Sequence, residues 1–336
     1  MNNEMKRMMK MSIVFNQTII HVLDLTMNMP VFSTEPLVLT DETEAFITKH
    51  LMKIFGSPSS SKACFEIGSV WSPLFKEETL LENFQDLSER LAQKYYDFMQ
   101  SYGNILSGDL LITYFQMNNK GYLATLKLNY KEGFTHYVEQ KEGRIQTHII
   151  KHKGLFPAAG KQVDEAFLIE LASGDITLWD HSKAQYLPLL YECEADLSLK
   201  ETLKVVEAVA TEVIETHYDN TLDAMAELRN NIVESIATTN TLPIQEVFER
   251  TFEKDEEVKE MCLQKMDELG LKEKTLEIAD TKISNHYASS RLKTDTGIEL
   301  KFPTPLFKNQ DFIEIINEAD GTLSIVLKNI SHIINK

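Results

Sequence analysis

The chain has 336 residues, with 34 Lys and Arg against 51 Asp and Glu, a net charge of −17. Its 43% hydrophobic and 9% aromatic content excludes intrinsic disorder, and the length suits about two domains. The acidity excludes a small, uniformly basic nucleic-acid binder, whose Lys and Arg replace phosphate counterions over its whole surface, but leaves room for a local basic face.

Three widely spaced cysteines, Cys64, Cys193 and Cys262, argue against a disulfide framework and for a reducing compartment. The first 25 residues begin basic, as a signal peptide does. Asn16, Gln17, Thr18 and His21 interrupt the apolar stretch, however, and no small-residue cleavage site follows. No run of 18 apolar residues occurs. A cytoplasmic protein without a membrane span is expected.

Taken in chain order, residues 12–25 read as a β-rich apolar segment, followed by a short strand near Val31 and Phe32. The acidic turn 41–44 opens a helix through Ile54, since carboxylates favour the positive end of a helix dipole. Residues 56–62 read as a loop. An amphipathic helix runs from Thr79 to about Tyr102, with Gly103 as its cap. The period then changes to that of strands: 109–117 and 122–130 around the turn Asn118–Gly121, 134–140 and 144–151 around residues 141–143, then 166–172 and 176–180 around 173–175. Short turns between successive strands favour antiparallel pairing. Four helices are expected between Ser198 and Leu269, the third opened by Pro243 and the last stopped by Gly270. Four strands then follow, at 288–294, 298–302, 312–317 and 323–327, with a hairpin turn at Asp320-Gly321. The expected fold is α+β: a mainly antiparallel sheet domain with flanking helices over 1–190, an acidic helical region over 191–280, and C-terminal β-hairpins over 281–336.

The charge is unevenly spread. Residues 1–190 carry a net −4, residues 191–280 carry −14 from 23 acidic and 9 basic side chains, and the tail carries +1. Phosphate-cradling loops of the GxxxxGK type, a GxGxxG turn and a GxSxG elbow are all missing. His148 and His152 on one strand face would lie roughly 13 Å apart, too far to share a metal ion. Asp164, Glu165 and Glu170 read as surface acids, and Cys64 as a buried small hydrophobe. No catalytic residue, metal site or cofactor is expected.

One stretch rises above this background. Residues 120–161 hold Lys120, Lys127, Lys131, Lys141, Arg144, Lys151, Lys153 and Lys161 against three glutamates, a net of +5, interleaved with aromatics and histidines. Paired strands carrying such residues suit contacts to phosphates, although lysines also suit the solvent face and edges of any sheet. A weaker patch comprises Lys282, Arg291 and Lys293, with Lys301 and Lys308.

The segments IIHVLDL (19–25), PVFS (30–33), FITKHL (46–51), SGDLLITYF (107–115), YLATLKLNY (122–130), LFPAAGKQVDEAFLI (155–169), TDTGIELKFP (294–303) and EADGTLSIVLKNI (318–330) resemble, in order, the bacterial nucleoid-associated NdpA/YejK-like family. That resemblance spans nearly the whole chain. It implies a non-enzymatic nucleoid protein that binds DNA, with no defined contact residues to carry over. A homodimer would place two modest basic faces side by side, which strengthens binding through effective concentration. The alternative is that the acidic helical block brings the protein to the nucleoid through a DNA-handling partner such as a topoisomerase.

Overall fold

A computed structural model describes residues 13–27, 29–158, 161, 163–182, 185–218, 221–271, 274–278, 281–318 and 322–334. The fold is α+β, with two compact units meeting in sequence at Leu199/Lys200.

The first unit is built on β1 (Ile13–Leu23), α1 (Asp41–Phe55), β2 (Ser61–Phe65), α2 (Glu77–Ser101), β3 (Gly108–Met117) and β4 (Lys120–Asn129). After these come β5 (Lys131–Lys141), β6 (Arg144–Leu155), β7 (Glu165–Glu170), β8 (Ile176–Asp180), α3 (Leu187–Tyr191) and β9 (Cys193–Ala195). Seven strands form one antiparallel sheet in the order β1-β3-β4-β7-β8-β2-β9, while β5 and β6 form a separate two-stranded ribbon. Strand alternation sends side chains to both faces of the sheet, and each face meets helices. Leu110, Ile112, Leu123, Phe167 and Leu178 join the core of α2 and α3, whereas Leu111, Phe115, Leu126, Leu168 and Trp179 join that of α1.

Local chemistry explains several boundaries. Thr40 caps α1 in a reciprocal capping box with Thr43. Asn118 and Asn119 both adopt positive φ, giving a two-residue β3–β4 hairpin where a longer turn is expected. The α2 cap is Tyr102, not Gly103, and non-helical dihedrals at Asn83 interrupt that helix. Residues 61–65, the first two of them within the expected loop, are the strand β2, and Cys64 on it is exposed instead of buried. Val31 makes only an isolated bridge to Val22.

The second unit contains α4 (Leu199–His217), α5 (Thr221–Thr239), β10 (Thr241–Pro243), α6 (Ile244–Thr251), α7 (Glu256–Glu268), β11 (Thr275–Glu277) and α8 (Thr281–Tyr287). The hairpins β12 (Ser289–Lys293)/β13 (Glu299–Pro303) and β14 (Ile313–Asn317)/β15 (Leu323–Leu327) follow, with a 3-10 turn at Thr304–Lys308. Helix α5 packs against α6, α8, β10 and the 3-10 turn. Val206, Val213, Leu228, Ile232, Phe248, Cys262 and Met266 are buried between the helices of this unit. The expected Asp320-Gly321 turn lies outside the described residues.

Two buried polar groups in the sheet unit have energetic consequences. His21 on β1 is fully buried; its Nδ1 accepts from the Ser33 amide (3.1 Å), so Nε2 carries the proton and donates to Ser88 Oγ (3.0 Å). Burial lowers its pKa from 6.5 to about 4, against a smaller opposing pull from Glu89. The folded pKa lies below the unfolded one, so this stability is complete above pH 6.5 and is lost as pH falls towards 4. The loss amounts to about 3 kcal/mol. Urea titrations between pH 7 and 4 will show that slope, and His21→Gln will flatten it.

Lys127 on β4 is also fully buried, opposite Glu165 in the β4–β7 ladder, and its Nζ donates to the Leu106 carbonyl and Asn129 Oδ1 (both 2.9 Å). Burial pulls Lys127 down to about 8 and raises Glu165, whose carboxylate accepts from the Tyr186 hydroxyl at 2.7 Å. Glu165 is thus an interior acid, not the surface acid expected from sequence. Lys127→Met leaves that carboxylate without its counter-charge and should cost about 3–5 kcal/mol, measured by urea denaturation. Adding Glu165→Gln should recover most of the loss.

Candidate nucleic-acid interface

The structure disperses the expected basic stretch into four environments. Lys127 belongs to the core, so its expected phosphate contact is corrected: a fully buried ammonium with two acceptors presents nothing to solvent. Lys120 lies at the β3–β4 turn and pairs with Glu170 at 2.8 Å. Lys161 is exposed in the segment leading to β7. The remaining five, Lys131, Lys141, Arg144, Lys151 and Lys153, are on the β5–β6 ribbon.

That ribbon interrupts the connection between two paired strands, because β4 pairs directly with β7. The expected continuous meander is therefore replaced by a sheet from which residues 131–155 are absent. Neither ribbon strand has another element as a substantial packing neighbour, and almost all of their residues are exposed. A bulge near Lys131–Gly133 marks the root; a side-chain carbon at Gly133 would meet Leu155 Cδ1 at 2.4 Å. The tip is a two-residue turn, Glu142-Gly143, with positive φ at both positions.

Register divides the ribbon into two unlike faces, since residues opposed across an antiparallel pair share a face. One face places Phe134 opposite Lys151, His136 opposite Ile149, Val138 opposite Thr147, and Gln140 opposite Ile145. Its large apolar side chains lie open, Phe134 at 76%, Ile145 at 71% and Ile149 at 81% exposure. The other pairs Thr135 with Ile150, Tyr137 with His148, Glu139 with Gln146, and Lys141 with Arg144 at the tip. This face is rich in hydrogen-bonding groups and carries two cations side by side.

Several ribbon cations are already engaged. Lys131 bonds Asp164 (3.2 Å), Lys141 bonds Glu139 (2.7 Å), and Lys151 bonds Glu132 (2.5 Å). Arg144 and Lys153 form no ion pair within 4.0 Å among the described residues. All these pairs are substantially exposed and therefore weak enough to exchange for a phosphate. The apolar face was missed in the sequence because its signal, alternation of Phe134, Val138, Ile145 and Ile149, resembles the buried face of an ordinary strand.

In the second unit, Arg291 and Lys293 lie on β12 opposite Lys301 and Glu299, and Lys293 pairs with Glu299 at 3.3 Å. The Lys282 and Lys308 side chains lie outside the described residues. Among the described residues, no exposed nucleophile–base pair accompanies these cations: the Ser88–His21 pair is sealed in the core. Among the described residues no three His, Cys, Asp or Glu side chains are grouped to hold a metal ion, and no helix is long and apolar enough to cross a membrane.

No curated protein matches the chain at a significant level. The family described as nucleoid-associated protein YejK matches residues 19–334, from the first strand past the last hairpin. The chain therefore belongs to the YejK family of nucleoid-associated proteins.

Proposed function

We propose that this protein is a non-enzymatic DNA-binding member of the nucleoid, and that the β5–β6 ribbon is its contact element. The observation that carries this reading is a two-stranded ribbon, open on both faces, with five basic residues against three acidic ones. A two-stranded ribbon fits the major groove of B-form DNA, where Arg, Lys, Gln and His reach phosphates and base edges. Lys141 and Arg144 at the tip lead, with Tyr137, Gln146, His148 and His152 behind them on the same face. Lys131 and the outlying Lys120 and Lys161 would add phosphate contacts at the sides, and Lys151 and Lys153 would add theirs from the root of the opposite face.

The opposite face suits a homodimer. An isolated two-stranded hairpin is marginal in water, and Phe134, Val138, Ile145 and Ile149 form an apolar surface that a second ribbon of the same kind would cover. Two ribbons back to back would present two basic faces. Ile149→Asp, in the middle of the apolar face, should shift the sedimentation profile towards monomer without unfolding the sheet unit.

The DNA reading is tested by gel-shift titrations on duplex DNA across a salt series. Wild-type affinity should fall steeply with salt. Lys141→Glu with Arg144→Glu should weaken binding ten-fold or more and reduce the slope of log K against log salt by about 1.8, at about 0.9 per lost phosphate contact. Binding that is insensitive to salt sinks the DNA reading. Salt-sensitive binding unchanged by the double reversal moves the contact away from the ribbon.

A second reading rests on the acidic block. Residues 191–280 carry 23 acidic against 9 basic side chains, and Glu212, Glu234 and Glu256 each pair with a Lys or Arg. Such a surface would dock on the basic face of a DNA-handling protein. Capture of that partner that survives the ribbon double reversal but fails on neutralising Glu246, Glu249, Glu257 and Glu260 would favour this reading.

A further inference from the structure

The second unit holds a cavity of about 250 Å³ lined by Arg229 from α5, Asn285 and His286 from α8, Ser289 and Arg291 from β12, and Lys301 from β13. Among the described residues, no acidic side chain lines it. In a protein with a net charge of −17, three cations share one small cavity, and none of them forms an ion pair within 4.0 Å among the described residues. The Glu207 carboxylate accepts from the Tyr287 hydroxyl and pairs with none of the three.

Two further observations point to a missing occupant. Arg291 and Lys301 are directly opposed in the β12–β13 ladder, an arrangement in which like charges repel. At the next position on that face the same ladder opposes Lys293 with Glu299, which pair at 3.3 Å, so the hairpin has no general preference for like charges. In addition, Ser289 Oγ is buried without any hydrogen-bond partner. A buried hydroxyl with no acceptor or donor is rare and calls for one. An anion placed between Arg291 and Lys301 would relieve the repulsion and accept from Ser289 together.

The walls are held in place. Ser290, pointing to the opposite side of β12, bonds Thr304 Oγ1 at 3.0 Å, and Thr304 Oγ1 donates to the Tyr287 carbonyl. This clasp fixes the turn between α8 and β12, and with it Asn285, His286 and Ser289. Guanidinium groups present planar forks of N–H donors that suit tetrahedral oxyanions. The cavity is smaller than the usual range for an organic cofactor, roughly 300–1,000 Å³.

We infer that the cavity bounded by Arg229, Ser289, Arg291 and Lys301 is a binding site for a phosphate group. The site is separate from the ribbon and does not rest on the DNA reading. Its phosphate comes either from a free phospho-compound or from a nucleic-acid backbone.

Calorimetric titration of the full-length protein with inorganic phosphate and with pyrophosphate, at ionic strength held constant with chloride, tests the site. Saturable one-site binding is expected. Arg291→Gln and Lys301→Gln should each weaken it on the order of ten-fold, through loss of a charge-assisted hydrogen bond. Because each substitution removes a repulsive neighbour, the thermal midpoint without phosphate should hold or rise. That result separates loss of the site from loss of the fold. Gel shifts with the same variants identify the source: weakened duplex binding assigns the site to backbone phosphate, and unchanged duplex binding assigns it to a free phospho-compound. Absence of saturable binding by either phosphate, with duplex affinity also unchanged in both variants, overturns the proposal. So does phosphate binding that persists undiminished in the double variant.

Discussion

The pairing of β4 with β7 determines much of what else the sheet unit does. It brings Thr125 opposite Phe167 and Lys127 opposite Glu165, closing the middle of a sheet that is buried on both faces. Because Lys127 is held there, its ammonium must find acceptors indoors, and it takes the Leu106 carbonyl and Asn129. Because β4 reaches past the next 35 residues to find β7, those residues have no place in the sheet. The ribbon is thus tied to the topology of the core: with the central ladder closed, β5 and β6 have no place between β4 and β7, and they pair with each other.

The same ladder explains what sequence reasoning recovered and what it did not. Features set by neighbours in the chain were legible. The acidic first turn of α1, the Asn118-Asn119 hairpin, Gly270 after α7 and the alternation of β12 and β13 all follow from dihedral preferences or short-range periodicity. Features set by distant partners were not. Residues 134–151 alternate like sheet strands, and nothing local says that their sheet has only two members. Lys127 reads as one more surface cation because the Leu106 carbonyl it bonds and the Glu165 it opposes come from separate stretches of chain. β2 and β9 were missed because each is short and becomes a strand only through distant pairing, β2 with β8 and β9, and β9 with β2.

The candidate interface was legible in composition and not in arrangement. Counting charges over residues 120–161 located the ribbon, since five of the eight cations are on it. The count also treated all eight as equivalent, and burial and pairing make them unequal. In the tail, Arg291 and Lys301 were visible as members of a weak patch. Their direct opposition and the unsatisfied Ser289 beside them depend on register and packing.

The net charge of −17 remains the strongest physical objection to any role at DNA, and geometry answers it more fully than composition does. A ribbon of 11 or 12 residues at about 3.3 Å per residue is roughly 35 Å long. Physiological salt screens exposed charges over about 8 Å. Lys141 and Arg144 at the tip are therefore several screening lengths from carboxylates at the ribbon's root, such as Asp164. Within the sheet unit, the carboxylates nearest the tip are its own Glu139 and Glu142. Local charge at the point of contact, not the total, decides whether a phosphate backbone is attracted. On the proposed reading, the excess of carboxylates outside the ribbon would disfavour indiscriminate adhesion to DNA and favour contact through the ribbon.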